Sequence, residues 1–323
     1  MKLPWLKFLS GILLAAVLIA PGMGANTALP GTLNYIEGQA YIGDQQLNSK
    51  SIGSVELQPG QSLTTENGKA EILLTPGVFL RVGDNSTVTL VSSNLTNTEA
   101  DLVKGQATVE VAEIHPYSNL QIGADGVHTQ MLKDGLYGFD ADQRQVLVMK
   151  GEAEVQVNDQ NIKVKSGHEL DLSSNGSLKT AKFDKDAYEA SDLYRFSQLR
   201  SQYLADANVE MARQYYAGGL GWYGPGWYWD PWFVGYTWIP ADGILYSPFG
   251  WGFYSPWFVG YAPVYYGRLG YYYGHYYPGH VRPPVGGVYP GRAVAPRAPA
   301  RSGFATGGGG FHGSGFHGGG RGR

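Results

Sequence analysis

No cysteine occurs among the 323 residues. Disulfides, thiolate metal centres and cysteine nucleophiles are therefore excluded, and so is the lipid-bearing cysteine of a lipoprotein. Acid is missing from the last quarter of the chain: all 27 Asp and Glu lie in 26–242 beside 15 Lys and Arg, a net of −12, whereas 243–323 holds seven Arg, a net of +7. The overall −3 thus hides an acidic body and a basic tail, which either stays solvated or seeks anionic surfaces. Long apolar runs are scarce too. The one example, Phe8 to Ala20, has 13 residues, short of the ~20 that span a bilayer. It follows Lys2 and Lys7 and precedes Gly22-Met23-Gly24-Ala25, the order of an export signal cleaved after Gly24, although Pro21 and Gly22 would also suit an uncleaved anchor. Segment 1–24 is accordingly expected to be a signal peptide. The mature protein is then periplasmic or envelope-associated, which argues against nucleic-acid partners.

Motifs of catalysis are equally sparse. There is no Gly-x-Ser-x-Gly nucleophile turn, and no Lys follows a glycine loop in phosphate-binding fashion. Gly219-Leu220-Gly221-Trp222-Tyr223-Gly224 matches a dinucleotide fingerprint as a string, but it follows a helical pattern and runs into Pro225, the reverse of the context that motif needs. His275 and His280, like His312 and His317, lie five apart without a neighbouring acid, and His115, His128 and His168 stand singly near strands. Neither set reads as a metal centre. Glu110, Glu152 and Glu154 lie opposite apolar strand faces and read as surface charges. The expectation is a non-enzymatic protein with no cofactor and no metal.

What is present is a dense β pattern. In Pro59–Val91, Ala70, Ile72 and Leu74 share one face, Val78, Leu80 and Val82 another, and Val88 and Leu90 a third. Glu71, Arg81 and Thr89 point the opposite way, the period-2 signature of half-buried strands. On this reading Ile72→Asp or Val109→Asp is costly, while Glu71→Gln or Thr108→Gln is nearly free. Asn67-Gly68, Pro76-Gly77 and Gly83-Asp84-Asn85 supply the turns. A five-residue phrase recurs four times, as Gly38-Gln-Ala-Tyr-Ile42, Gly68-Lys-Ala-Glu-Ile72, Gly105-Gln-Ala-Thr-Val109 and Gly151-Glu-Ala-Glu-Val155. Each copy puts Ala and a β-branched residue on one face, so the four should line a common interior. Spacings of 30, 37 and 46 residues are too uneven for a strict solenoid but suit stacked strand layers with variable loops. The fold class is therefore mainly β over 30–182, solenoid-like or sandwich-like.

The run Gly60–Val91, followed by Leu102-Val-Lys-Gly-Gln-Ala-Thr-Val-Glu-Val111 and Val148-Met-Lys-Gly-Glu-Ala-Glu-Val155, resembles the FecR-like periplasmic domain across about residues 31–172. The resemblance implies a β-solenoid-like domain. It also implies, for the family's namesake, a sensor relaying the state of an outer-membrane receptor to a sigma factor. No cytoplasmic domain is expected ahead of the export signal, so the fold is expected to transfer more readily than the signalling role.

One amphipathic helix is expected over 184–216, with Asp186 and Glu189 spaced as a capping box and Leu193, Phe196, Leu199 or Arg200, Tyr203, Leu204, Ala207 and Met211 as its stripe. Segment 218–278 follows, rich in aromatics, Gly and Pro. Between Tyr215 and Tyr277 lie 26 of the 43 aromatics, and Pro231-Trp-Phe-Val-Gly-Tyr236 is repeated as Pro256-Trp-Phe-Val-Gly-Tyr261. Three readings fit: a cover laid over the β domain, stacking platforms for sugar rings, or a surface that attaches to an envelope protein or, peripherally, to a membrane. In the last two, Trp227, Trp229, Trp232, Trp238, Trp251 and Trp257 make the contact with partner or polysaccharide, and truncation after Ala217 leaves a stable β domain. Residues 279–323, mostly Gly, Pro, Arg, Ala and His, are expected to be disordered.

Overall fold

The computed structural model describes residues 28–263, except 116, 158–159, 174–177 and 219–221, together with 288–289 and 292–293. The expected signal segment, the histidines from His275 onward and nearly all of 279–323 lie outside the described residues. The chain divides into two compact units, Met1–Arg282 and Pro283–Arg323.

In the first unit, fifteen strands form one sheet: β1 (Leu33–Ile42), β2 (Gln45–Gln46), β3 (Ser62–Leu73), β4 (Val78–Val82), β5 (Thr87–Asn94), β6 (Asn97–Lys104), β7 (Gln106–Val111), β8 (Asn119–Ala124), β9 (Val127–Met131), β10 (Gly135–Asp140), β11 (Gln145–Lys150), β12 (Glu152–Val157), β13 (Gln160–Lys165), β14 (His168–Asp171) and β15 (Thr180–Lys182). Their order is β13-β12-β9-β8-β6-β5-β3-β4-β7-β10-β11-β14-β15, with β1 on the other edge of β3. Every pairing is antiparallel except β6 with β8. That excludes a parallel solenoid. Instead, β3 bends at its centre. Ser62–Thr64 pair with β5, Ala70–Leu73 pair with β4, and the ladder to β1 slips between Gly38 and Ala40. A strand that feeds two neighbours on one edge folds the sheet over, so β5, β6, β8, β9, β12 and β13 make one layer and β4, β7, β10, β11, β14 and β15 the other.

Between the layers lies one apolar core. The phrase alanines Ala40, Ala70, Ala107 and Ala153 are all within it, with Ile72, Val109, Val155 and, at its margin, Ile42. Gly38, Gly105 and Gly151 precede three of them with φ of +67, +75 and +98°, a region that Cβ makes costly. Mainly β with a nearly closed sheet is the observed class.

The chain then turns helical. α1 (Lys185–Glu189) is capped by Asp184, whose carboxylate accepts from the Ala187 N–H at 3.0 Å. The cap is thus Asp184 and not Asp186, because Lys185 is already helical and Asp186 lies inside the first turn; the chain then breaks at Ala190 and restarts as α2 (Asp192–Gly218). α2 lies across β4 and β7 and buries Leu193, Phe196, Arg200, Leu204, Ala207 and Met211. Leu199 is exposed, so Arg200 holds the stripe position. No helix among the described residues is long and apolar enough to cross a membrane. Two hairpins close the unit, β16 (Gly226–Asp230) with β17 (Gly235–Ile239) and β18 (Ile244–Tyr246) with β19 (Gly252–Tyr254). In the second unit the described residues form one short pair, β20 (Val288–Tyr289) with β21 (Arg292–Ala293).

Candidate functional site

The outer faces of β3, β4 and β7 differ from the sequence expectation. Glu71, Arg81, Thr108 and Glu110, read as solvent-facing, are all 0% exposed. The reason is tertiary: α2 and the aromatic hairpins cover this face, so its alternating polar residues are sealed rather than solvated. Paired opposite each other on β3 and β4, Glu71 and Arg81 meet at 2.8 Å, and Arg81 reaches on to Glu110 of β7 at 2.6 Å. From α2, Arg200 donates to Glu71 at 2.8 Å and Ser201 to Glu110 at 2.7 Å. Asn34 of β1 adds a bond to Glu71 at 2.9 Å.

These partners set the ionisation of the two acids differently. Burial by itself drives Glu71 upward, but Arg200 and Arg81 outweigh it and hold the carboxyl below its ordinary range. Glu110 has one arginine and a hydroxyl, and burial wins, raising it. Two carboxylates and two guanidiniums balance in charge, as a buried cluster requires. The network joins positions 71 and 200, so it docks the helix on the sheet in one register.

Two buried asparagines do the same for the aromatic hairpins. Asn34 accepts from the Tyr236 N–H at 2.7 Å and donates to the Tyr236 carbonyl at 3.0 Å, acting as a strand neighbour for β17. Asn208 of α2 repeats this with Tyr254 of β19, at 2.7 and 3.0 Å, and also donates to the Trp238 carbonyl at 2.8 Å. A side-chain amide supplies one donor group and one acceptor, the complement of a strand residue's backbone. Thr237 donates to the Leu204 carbonyl at 2.6 Å. Neither asparagine stood out in the sequence. The available signals were Asn34 inside an apolar strand, and Arg200, Ser201 and Asn208 on the buried stripe of α2.

The six tryptophans separate into three pairs. Trp227 and Trp238 are buried in a second core with Leu73, Phe79, Ala112, Leu204, Tyr236 and Phe253. Trp227 meets Phe79 edge-on at 5.1 Å, and Trp238 lies 5.3 Å from Phe253. They are therefore packing residues, with no face left for a partner. Trp229 and Trp251 are partly buried at the rim of the same core. A Cβ at Gly53 would lie 2.3 Å from the Trp229 ring, so that glycine makes its seat. Trp232 and Trp257 alone project into solvent, at 65% and 67% exposure. They occupy the same place in the two copies of Pro-Trp-Phe-Val-Gly-Tyr. In the first copy, Asp230 ties the turn by accepting from the Trp232 and Phe233 N–H groups at 2.8 and 3.2 Å, and Val234 sits at φ +53°. A β-branched residue is strained there. Tyr216 lies 6.3 Å from the Trp257 ring, and Tyr223 and Tyr261 add further exposed rings.

No family model matches the chain, and no curated protein matches it. Among solved structures, two crystal structures of a proposed anti-sigma factor from Parabacteroides distasonis ATCC 8503 are similar in part. The first has 12% identity and a TM-score of 0.35, covering 40% of this chain and 62% of that one. The second has 12% identity and a TM-score of 0.34, covering 39% and 61%. This chain thus spans about three fifths of the length of those proteins.

Proposed function

We propose that the protein is a non-enzymatic, exported cell-envelope protein in which a FecR-like β domain and its aromatic cover form one binding or sensing platform. Trp232 and Trp257 make the contact with a partner or surface. The observation that carries this reading is the contrast within the repeat. Each hairpin is fixed by a buried asparagine from elsewhere in the fold, Asn34 or Asn208, and the first copy, which turns β16 into β17, and the second, which follows β19, each leave the tryptophan of the phrase in solvent. Large aromatic rings held outward on a fixed support are a contact surface, since packing alone would bury them. The FecR-like phrases over about 31–172 support the sensing part of the proposal, and Phe8–Ala20 behind two lysines supports export.

The test is the double variant Trp232→Ala/Trp257→Ala. Both side chains are exposed, so the melting temperature should stay within about 2 °C of the parent. Association with isolated envelope fractions should fall at least about tenfold, since exposed aromatic anchors carry most of a contact's energy. Loss of retention on insoluble cell-wall polysaccharide, with protein partners unaffected, would identify glycan as what the rings stack on. Unchanged association with every fraction would remove the two rings from the function.

A further inference from the structure

The other layer of the sheet carries a cluster outside the surface described above. Glu99 and Asp101 lie two residues apart on one face of β6, and His128 lies on β9. Between them runs β8, where Gly123 is paired with both Asp101 and His128. One ligand atom from each of Glu99, Asp101 and His128 falls within 4.8 Å of the others.

Three observations distinguish this cluster from an ordinary surface ion pair. His128 Nδ1 lies 2.8 Å from Glu99 Oε1, which accounts for those two groups. Asp101 Oδ1, however, is fully buried at the atom and accepts no hydrogen bond. An acceptor left so costs the desolvation of its charge with no return. Second, glycine at 123 is what admits it: a Cβ there would stand 2.0 Å from Asp101 Oδ1 and 3.7 Å from His128 Nδ1. The sheet thus keeps a cradle open where a side chain would ordinarily stand. Third, the charges do not balance. Two carboxylates face a single imidazole, which offers at most one positive charge.

We propose that Glu99, Asp101 and His128 bind a divalent transition-metal cation of the zinc class over Gly123. The donor set is right for it: imidazole nitrogen with carboxylate oxygens suits zinc and its neighbours, whereas calcium takes oxygen alone. Geometry agrees. Ligand atoms ~2.1 Å from a tetrahedral zinc lie roughly 3.4 Å apart, so Nδ1 and Oε1, now 2.8 Å apart, need to open by only about 0.6 Å to admit the cation. A small rotation of the Asp101 carboxylate brings in the third ligand. Binding replaces the proton shared by His128 and Glu99 with the cation, neutralises the two acids and gives Asp101 Oδ1 its partner. Because β6 and β8 are the parallel pair among the described strands of the sheet, the metal would also tie β6 to β9 across β8 at that ladder.

The experiment is calorimetric titration of the untagged, chelator-treated full chain with zinc chloride, repeated on His128→Ala, Asp101→Asn and Gly123→Ala. Each variant keeps every histidine of the 275–317 region, so metal held there appears equally in all four titrations. The parent should bind one more equivalent of zinc than His128→Ala or Asp101→Asn, or bind it at least about tenfold more tightly, the loss that even an outer-shell partner causes. Gly123→Ala retains all three ligands but displaces the Asp101 carboxylate, so it should weaken binding as well. Calcium chloride should not compete. Identical titrations for parent and variants would overturn the proposal by placing the zinc elsewhere, and calcium binding as tight as zinc would overturn the metal class. Circular dichroism melts of the metal-free variants separate loss of ligand from loss of fold. A folded His128→Ala that still binds the extra equivalent would also overturn the assignment.

Discussion

The two outer faces of the folded sheet carry the same alternation of polar residues and meet opposite fates. On β4, β7 and β10 every residue but Gln106 is buried, on both faces. On β5, β6, β9 and β12 only alternate residues are buried along most of each strand, and Thr89, Glu99, His128 and Glu154 meet solvent in part or fully. The difference lies in what arrives later in the chain. α2 and the aromatic hairpins settle on the first face alone, bringing Arg200, Ser201 and Asn208 to groups more than 90 residues earlier for the first two and 30 to 46 residues later for the third. A polar alternation identifies one buried face of a strand. Whether the other face becomes a solvated surface or a sealed ionic network depends on a covering element.

Removing the cover is the strongest way to break the contrast. Truncation after Ala217 takes Trp227, Tyr236, Trp238 and Phe253 away from Leu73 and Phe79. Each such aromatic contributes about 3 kcal/mol or more. The shortened chain should bind hydrophobic dye and melt more than about 10 °C lower, which calorimetry would register. This reverses the expectation from sequence that the β domain stands alone. A truncated chain as stable as the parent would show that the second core contributes nothing.

Next in size is Arg81→Leu. It leaves Glu71 with Arg200 alone and Glu110 with no cation, and should cost about 3–5 kcal/mol in urea denaturation. Glu71→Gln, once expected to be nearly free, should cost about 3 kcal/mol, because Arg81 and Arg200 then lose their shared partner. If both substitutions cost less than about 1 kcal/mol, the network is not sealed.

A titration sharpens the comparison further. Burial pushes the Asp206 carboxyl of α2 up to about 7. The folded chain therefore keeps a proton that the unfolded chain releases near pH 4. The stability this adds is whole below about pH 4 and is lost as pH rises through about 7. Asp206→Asn should accordingly raise stability by about 2 kcal/mol at pH 8 and leave it unchanged at pH 3.5. Equal effects at both values would show that the carboxyl is solvated. The smallest effect belongs to the open layer, where Glu154→Gln should change the unfolding free energy by less than about 0.5 kcal/mol.

Much of the β domain was legible in the sequence because its signals are local. The four Gly-x-Ala phrases place their alanines inside, and turns fall at Pro76-Gly77 and Gly83-Asp84-Asn85 as expected, whereas the turn expected at Asn67-Gly68 is instead part of the continuous bent strand β3. The antiparallel ladders then chose a folded-over sheet where periodicity had left solenoid and sandwich equal. The candidate contact surface was only partly legible. A count of tryptophans gives no hint that Trp238 is sealed while Trp257 is exposed, because both stand in similar Gly and Pro surroundings.

By itself, then, the sequence determined the strand phases, the interior alanines, the buried stripe of α2 and the duplication that places Trp232 and Trp257 alike. Each of these follows from backbone period and the steric demands of Gly and Pro over a few residues. Tertiary structure alone decided which polar face is covered, which tryptophans pack, and that Glu71 and Glu110 are enclosed with Arg81 and Arg200. The physical reason is that burial belongs to pairs of surfaces. A strand carries its own alternation, but the surface that closes over it comes from far along the chain, 91 residues for Glu110 and Ser201 and 202 for Asn34 and Tyr236, in segments whose placement only the folded chain defines.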